Sequence, residues 1–149
     1  MPTSTSTVTI TTRSSAEEAI AALRDLQGWG SWLARSPVYR GTSGAVPRVA
    51  VVGDTYADHT VVGAVRGEVT RLEAGRLIEF RQANRARTMS FVIRYEAAPT
   101  ESGARVSRTG QITTRGLLAW GHPLVVVATR WENRRTMRAL RDKLDAGTH

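Results

Sequence analysis

Residues 123–146, PLVVVATRWENRRTMRALRDKLDA, decide the architecture of this chain. Pro123 suits the first turn of a helix, where its missing N–H leaves no bond unmade, and nothing breaks the run before Gly147. About 24 residues at 1.5 Å each make a rod roughly 36 Å long. At 100° per residue Val125, Val126, Thr129, Asn133, Thr136, Met137, Leu140 and Leu144 share one face, while Arg130, Arg134, Arg138 and Arg141 gather on the other. The first face is mostly apolar but carries Thr129, Asn133 and Thr136 near its middle. An amide on such a face calls for water, a strand side chain or a ligand, because a buried amide without partners is costly.

Upstream the apolar period changes from 3.6 to 2. Thr88–Ala97 alternates most clearly: Met89, Phe91, Ile93 and Tyr95 fall on one side, Ser90, Arg94 and Glu96 on the other. A turn over Pro99–Gly103 leads to a partner strand, Ala104–Thr114. Before these, Val38–Thr42, Val49–Val52, Asp54–Val61, Ala64–Leu72 and Arg76–Gln82 read as extended segments, with Gly53, Gly63 and Glu73-Ala74-Gly75 as breaks. At the start, Thr7–Thr11 alternates as a first strand. Ser14 and Ser15 offer helix N-caps, with Glu17 and Glu18 in capping-box positions. Ile20, Leu23 and Leu26 stripe a short helix, Gly28 and Gly30 break it, and Trp29 and Trp32 lead into a second short turn before Pro37.

The order is strand, two short helices, a run of antiparallel strands and one long terminal helix. With the residues that carry it, this order resembles the START-like, or SRPBCC, superfamily and its polyketide cyclase/dehydrase-like branch. The matching segments are Ser14-Ser15-Ala16-Glu17-Glu18 with Trp29 and Trp32; Val52-Gly53-Asp54; Gly67-Glu68-Val69-Thr70-Arg71-Leu72-Glu73-Ala74-Gly75-Arg76-Leu77; and the helix ending of Met137, Leu140 and Leu144. The resemblance covers nearly the whole chain and implies one domain over residues 1–149 with an α+β helix-grip fold. In that fold a bent seven-stranded antiparallel sheet wraps around the C-terminal helix and leaves a cavity between them. The superfamily includes carriers of lipids, sterols and hormones, aromatase/cyclases, quinone-binding proteins and chaperone or ribosome partners, and fold alone does not choose among these.

The composition narrows the chemistry. With 149 residues, 41% hydrophobic and 23% charged, the chain can bury a continuous core. It has no cysteine, which removes disulfides, thiolate nucleophiles and cysteine-ligated metals together; a cytoplasmic setting is expected. The start has no signal pattern, and the most apolar stretch, Leu117–Ala128, is broken by Gly121-His122-Pro123 and is shorter than the roughly 20 residues that span a bilayer. The net charge is +8 and Lys143 is the only lysine. The arginines are dispersed among Asp and Glu, which points to a solvated surface and away from a nucleic-acid site. His59, His122 and His149 lack metal-ligand spacing, Gly41-Thr42-Ser43-Gly44 is not a nucleophile elbow, and no Walker, Rossmann or zincin motif occurs. No metal, cofactor or catalytic residue is expected.

The expected pocket lies between the sheet and the first half of the terminal helix. Val126, Met137, Phe80, Phe91, Ile93 and Tyr95 supply apolar walls, with Trp120 beside them. Thr129 and Asn133 are the polar contacts of the helix, and Tyr56 or Arg108 gives a second polar point. Arg108 shares strand parity with Val106, Gly110 and Ile112, so it faces the apolar side. Either a bulge turns it outward, or it pairs internally with Asp58 or Glu68, or a ligand carboxylate or phenolate meets it. Trp131 falls outside the apolar face and has no assigned role. The function expected first is a carrier or sensor of a small, mostly apolar molecule (lipid-, polyketide- or aromatic-like). An aromatase/cyclase-type enzyme comes second and an arginine-mediated protein or RNA partner third.

Overall fold

The computed structural model describes residues 2–61 and 63–147; His149 lies outside the described residues. Seven strands form one antiparallel sheet in the order β1-β7-β6-β5-β4-β3-β2. They are β1 (Thr3–Thr12), β2 (Tyr39–Ser43), β3 (Thr55–Thr60), β4 (Gly63–Glu73), β5 (Leu77–Asn84), β6 (Met89–Thr100) and β7 (Gly103–Thr114). Helix α1 (Ala16–Arg24) and the single turn α2 (Trp29–Trp32) follow β1, and α3 (His122–Ala146) ends the chain. The sheet curls into a half-barrel around α3, so the chain has the expected α+β helix-grip fold. Register shifts between Val69 and Arg71 in β4 and between Tyr39 and Thr42 in β2 mark bulges, which bend a strand and sharpen its twist.

Local chemistry explains the elements. Ser15 caps α1: its hydroxyl accepts the Glu18 N–H and the Glu18 carboxylate accepts the Ser15 N–H, a complete capping box. Along β6 the side chains of Met89, Ile93 and Tyr95 are buried while Glu96 is exposed, as the alternation requires. The α3 phase is also as read, with Asn133, Thr136, Met137, Leu140 and Leu144 buried and Arg130, Arg134, Arg138 and Arg141 exposed. Among the described residues no helix is long and apolar enough to cross a membrane.

Two expectations differ. Val49–Val52 is not a strand: Ala50 is buried and its N–H donates to Arg24 O at 2.9 Å, while Arg24 Nε returns a bond to Ala50 O. The segment bonds to the end of α1 instead of a neighbouring strand, and Val49, Val51 and Val52 face solvent. Residues 116–121, for which the sequence suggests no element before the break at Gly121-His122-Pro123, form a 3₁₀ turn that leads directly into α3.

The apolar interior falls into two clusters. The larger joins Ile20, Leu23 and Trp29 from the short helices, Phe80, Tyr95 and Val106 from the sheet, and Met137, Leu140 and Leu144 from α3. The smaller consists of Val65, Met89 and Ile112, with Phe91, Leu118, Val125 and Val126 packed on it. The C-terminal half of α3 therefore rests on a filled core, and its first half spans the junction between the clusters.

Candidate functional site

At that junction lies a cavity of about 220 Å³. Val65, Met89, Phe91, Ile93, Leu118 and Val125 make most of its apolar wall. Its polar groups include Asp58, Gln82, Arg108, Thr129, Glu132 and Asn133, with Tyr39 and Thr60 beside them. Drug-sized ligand pockets run from roughly 300 Å³ upward, so this one suits a compact guest of one or two rings.

Arg108 enters from β7. No bulge turns it outward, because β7 pairs residue by residue with β6 and with β1 throughout this stretch. Its Nε donates to Asn133 Oδ1 at 2.9 Å, a terminal nitrogen donates to the Tyr95 hydroxyl, and the guanidinium lies over the Tyr95 ring at 5.2 Å. Asn133, 1% exposed, donates in turn to Ser6 Oγ at 3.1 Å. Neither Asp58 nor Glu68 bonds Arg108; among the described residues Asn133 and Tyr95 are its hydrogen-bond partners, which leaves N–H groups unused on a residue that lines the cavity. The helix can come this close because residue 110 has no side chain: a Cβ there would stand 3.2 Å from Asn133 Nδ2.

A second polar cluster lies on β2, β3 and β5. Asp58 accepts from Thr42 Oγ1 at 2.6 Å and from Gln82 Nε2 at 3.1 Å; Gln82 Nε2 also donates to Tyr56 Oη at 2.6 Å, and Tyr39 shares a bond with Thr42 at 2.7 Å. Burial raises the Asp58 carboxyl above the ordinary aspartate range, although the bonds from Thr42 and Gln82 and the charge of Arg108 pull the other way. Burial likewise raises the Tyr95 phenol, and the Tyr56 phenol well above its usual value, so both keep their protons at neutral pH.

The expected site residues divide accordingly. Phe91, Ile93, Arg108, Thr129 and Asn133 line the cavity. Tyr56, Phe80, Tyr95 and Met137 are buried behind it in the larger cluster, where Phe80 packs edge-on against both tyrosines; their rings fill the core and leave the hollow to smaller neighbours. Val126 packs on the smaller cluster. Trp120 does not reach the interior: it is 85% exposed, because the 3₁₀ turn points it away from the sheet. His59 is exposed and shares a bond with Ser43, and buried His122 bridges Ser4 and Thr114 at the start of α3. Sequence reading missed Asp58, Gln82 and Tyr39 as cavity residues. Strand parity with Tyr56 would have placed Asp58 inward. Parity with Phe80 would have done the same for Gln82, which pairs with Phe91, and Tyr39 joins the site through the curl that brings β2 round to it.

Two measurements test these networks. Asn133→Leu is expected to lower the unfolding free energy by about 1–3 kcal/mol, since it leaves Arg108 Nε and the Ser6 hydroxyl without their amide. Denaturant titration that shows no loss would place the amide outside any structural network. For Asp58 the sign follows from the raised folded pKa: the folded chain holds this proton more tightly than the unfolded one, so this group's contribution to stability falls as pH rises through the window between the two values. Asp58→Asn removes that slope. Its stability relative to the parent should therefore grow across the window and level off above it. A difference that does not change with pH would show that Asp58 ionises as it does in the unfolded chain.

Comparison with known proteins agrees with this architecture. A family described as "Polyketide cyclase / dehydrase and lipid transport" matches residues 1–145, and the chain belongs to that family. Among solved structures, the ZhuI aromatase/cyclase from Streptomyces sp. R1128 superposes with a TM-score of 0.81 at 12% identity, covering 99% of this chain and 97% of that one. The di-domain aromatase/cyclase StfQ of the steffimycin pathway gives 0.74 at 11% identity over 97% of this chain and 51% of that one. Protein MLL2253 from Mesorhizobium loti gives 0.70 at 15% identity over 98% and 100%. At these identities the likeness is one of fold. No curated protein matches the sequence.

Proposed function

We propose that the chain binds a compact, mostly apolar molecule bearing one acidic oxygen and acts on it as a cytoplasmic carrier or sensor. The observation that carries this reading is Arg108, a guanidinium held by Asn133 and Tyr95 that lines a mostly apolar cavity and has donors to spare. A fixed cation in such surroundings favours a carboxylate or phenolate, with charge-assisted hydrogen bonds at about twice the strength of neutral ones. Family membership supports small-molecule binding without choosing the ligand. Isothermal titration with naphthalene, 2-naphthol and 2-naphthoate tests it: the naphthoate should bind tightest. Equal affinity for all three, or none for any, would sink the reading.

A second reading is supported by Asp58. A buried carboxyl with a raised pKa and an arginine on the same cavity are the groups needed to move a proton at an enolisable carbon and steady the resulting oxyanion. An aromatase/cyclase would convert a poly-β-carbonyl substrate and lose turnover in Asp58→Asn while still binding 2-naphthoate. A carrier would return that substrate unchanged.

A further inference from the structure

The most exposed large apolar side chains gather on the 3₁₀ turn and the first half of α3. Leu117 and Trp120, on the 3₁₀ turn, are 89% and 85% exposed; Leu124 and Val127, on the first turns of α3, are 78% and 66% exposed. Trp131 continues the same outward side of α3 and is also exposed. Leu117 and Leu124 are chain neighbours of Leu118 and Val125, which line the cavity. Scattered surface apolar residues need no explanation, but several together on one continuous stretch of surface do.

Charge identifies the occupant. Arg115 and Arg130 flank this apolar group along the chain and are exposed. The Arg115 N–H donates to Thr88 O at 2.7 Å, which brings the turn between β5 and β6, with exposed Arg85 and Arg87, alongside the 3₁₀ turn. Between residues 80 and 95, and again between 115 and 131, there is no Asp or Glu. The first acid beyond, Glu132, is engaged by Arg135 and Ser36. The surface is thus a run of exposed apolar side chains, two of them indoles, with exposed arginines beside it and no acid in the flanking stretches. A protein partner would have to supply hollows for such side chains. A lipid headgroup layer accepts them directly, with indole and guanidinium groups at the depth they prefer.

We infer that the 3₁₀ turn and the outward face of the first half of α3 form a docking surface for an anionic lipid bilayer. The inference goes beyond the ligand reading and stands whatever the cavity holds. Flotation of the full-length protein with phosphatidylcholine vesicles, with and without phosphatidylglycerol, tests it. The protein should float with the anionic vesicles, release them as salt rises, and leave the neutral ones largely unbound. Leu117→Ser combined with Trp120→Ser should weaken partitioning roughly tenfold or more, and Arg87→Glu combined with Arg115→Glu by roughly fivefold or more for each arginine. All four positions are exposed, and unchanged circular dichroism would show that the variants fold. No flotation, equal binding to both vesicle types, or binding that survives the Leu117/Trp120 substitutions would overturn the inference. A concentration-dependent dimer in light scattering that Trp120→Ser abolishes would overturn it as well, by assigning the surface to a second copy of the chain.

Discussion

Leu140→Ala is expected to lower the unfolding free energy by about 2–5 kcal/mol, the range for removing a large side chain from a filled core. Leu140 is fully buried, and it lies where α3 meets the sheet and the short helices, between Met137 and Leu144. Two kcal/mol is already a large part of the 5–15 kcal/mol that typically holds a domain together. The control is two residues away: Arg138 is exposed on the opposite side of the same helix, and Arg138→Ala should cost under about 1 kcal/mol. Paired denaturant melts measure both, and the reverse ranking would mean that α3 is rotated from the phase described.

Arg108→Met carries the largest functional effect. Methionine keeps much of the stem and removes the charge, so the apolar wall stays while the acidic oxygen of a guest loses its partner. Hydrogen bonds to charged groups contribute roughly 1.5–3 kcal/mol, equivalent to a roughly ten- to hundredfold loss of 2-naphthoate affinity, with naphthalene binding unchanged. Asn133 keeps its bond to Ser6, but the Tyr95 hydroxyl loses its partner, so stability is measured alongside by denaturant titration. If naphthoate and naphthalene weakened together, Arg108 would be a support of the wall and not a recognition group.

The long elements could be read from the chain because one strong period governed each of them. Twenty-four residues of 3.6-residue repeat set the phase of α3, and the alternation of β6 decided which of its side chains point inward. The polar side of the cavity was half visible. Asn133 and Arg108 stood out as polar residues on apolar faces, and the structure shows each as the other's partner. What periodicity cannot carry is the distance between elements. Phe80, Tyr95 and Ile93 have the same pattern and all three join the filled cluster, but the curl of the sheet lets only Ile93 among them also reach the hollow. Trp120 could not be placed for a related reason: a 3₁₀ turn of six residues has no long repeat, so its outward direction comes from how it joins β7 to α3.

The position of β1 has a consequence for how the chain folds during synthesis. Its partner is β7, so the cross-strand hydroxyl pairs Thr3–Thr113, Thr7–Thr109 and Thr9–Ser107 join residues 98 to 110 positions apart. Contacts of such separation form late. At roughly 5–20 residues per second, β1 leaves the ribosome on the order of 5–20 seconds before β7 exists. For that interval it is an unpaired ten-residue strand, the kind of segment that invites aggregation. Its composition answers the hazard: of its ten residues only Val8 and Ile10 are apolar, and the rest are Thr and Ser. The first strand is therefore built to wait in water, and the hydroxyls that keep it harmless while it waits are the ones that lock it to β7 when the sheet closes.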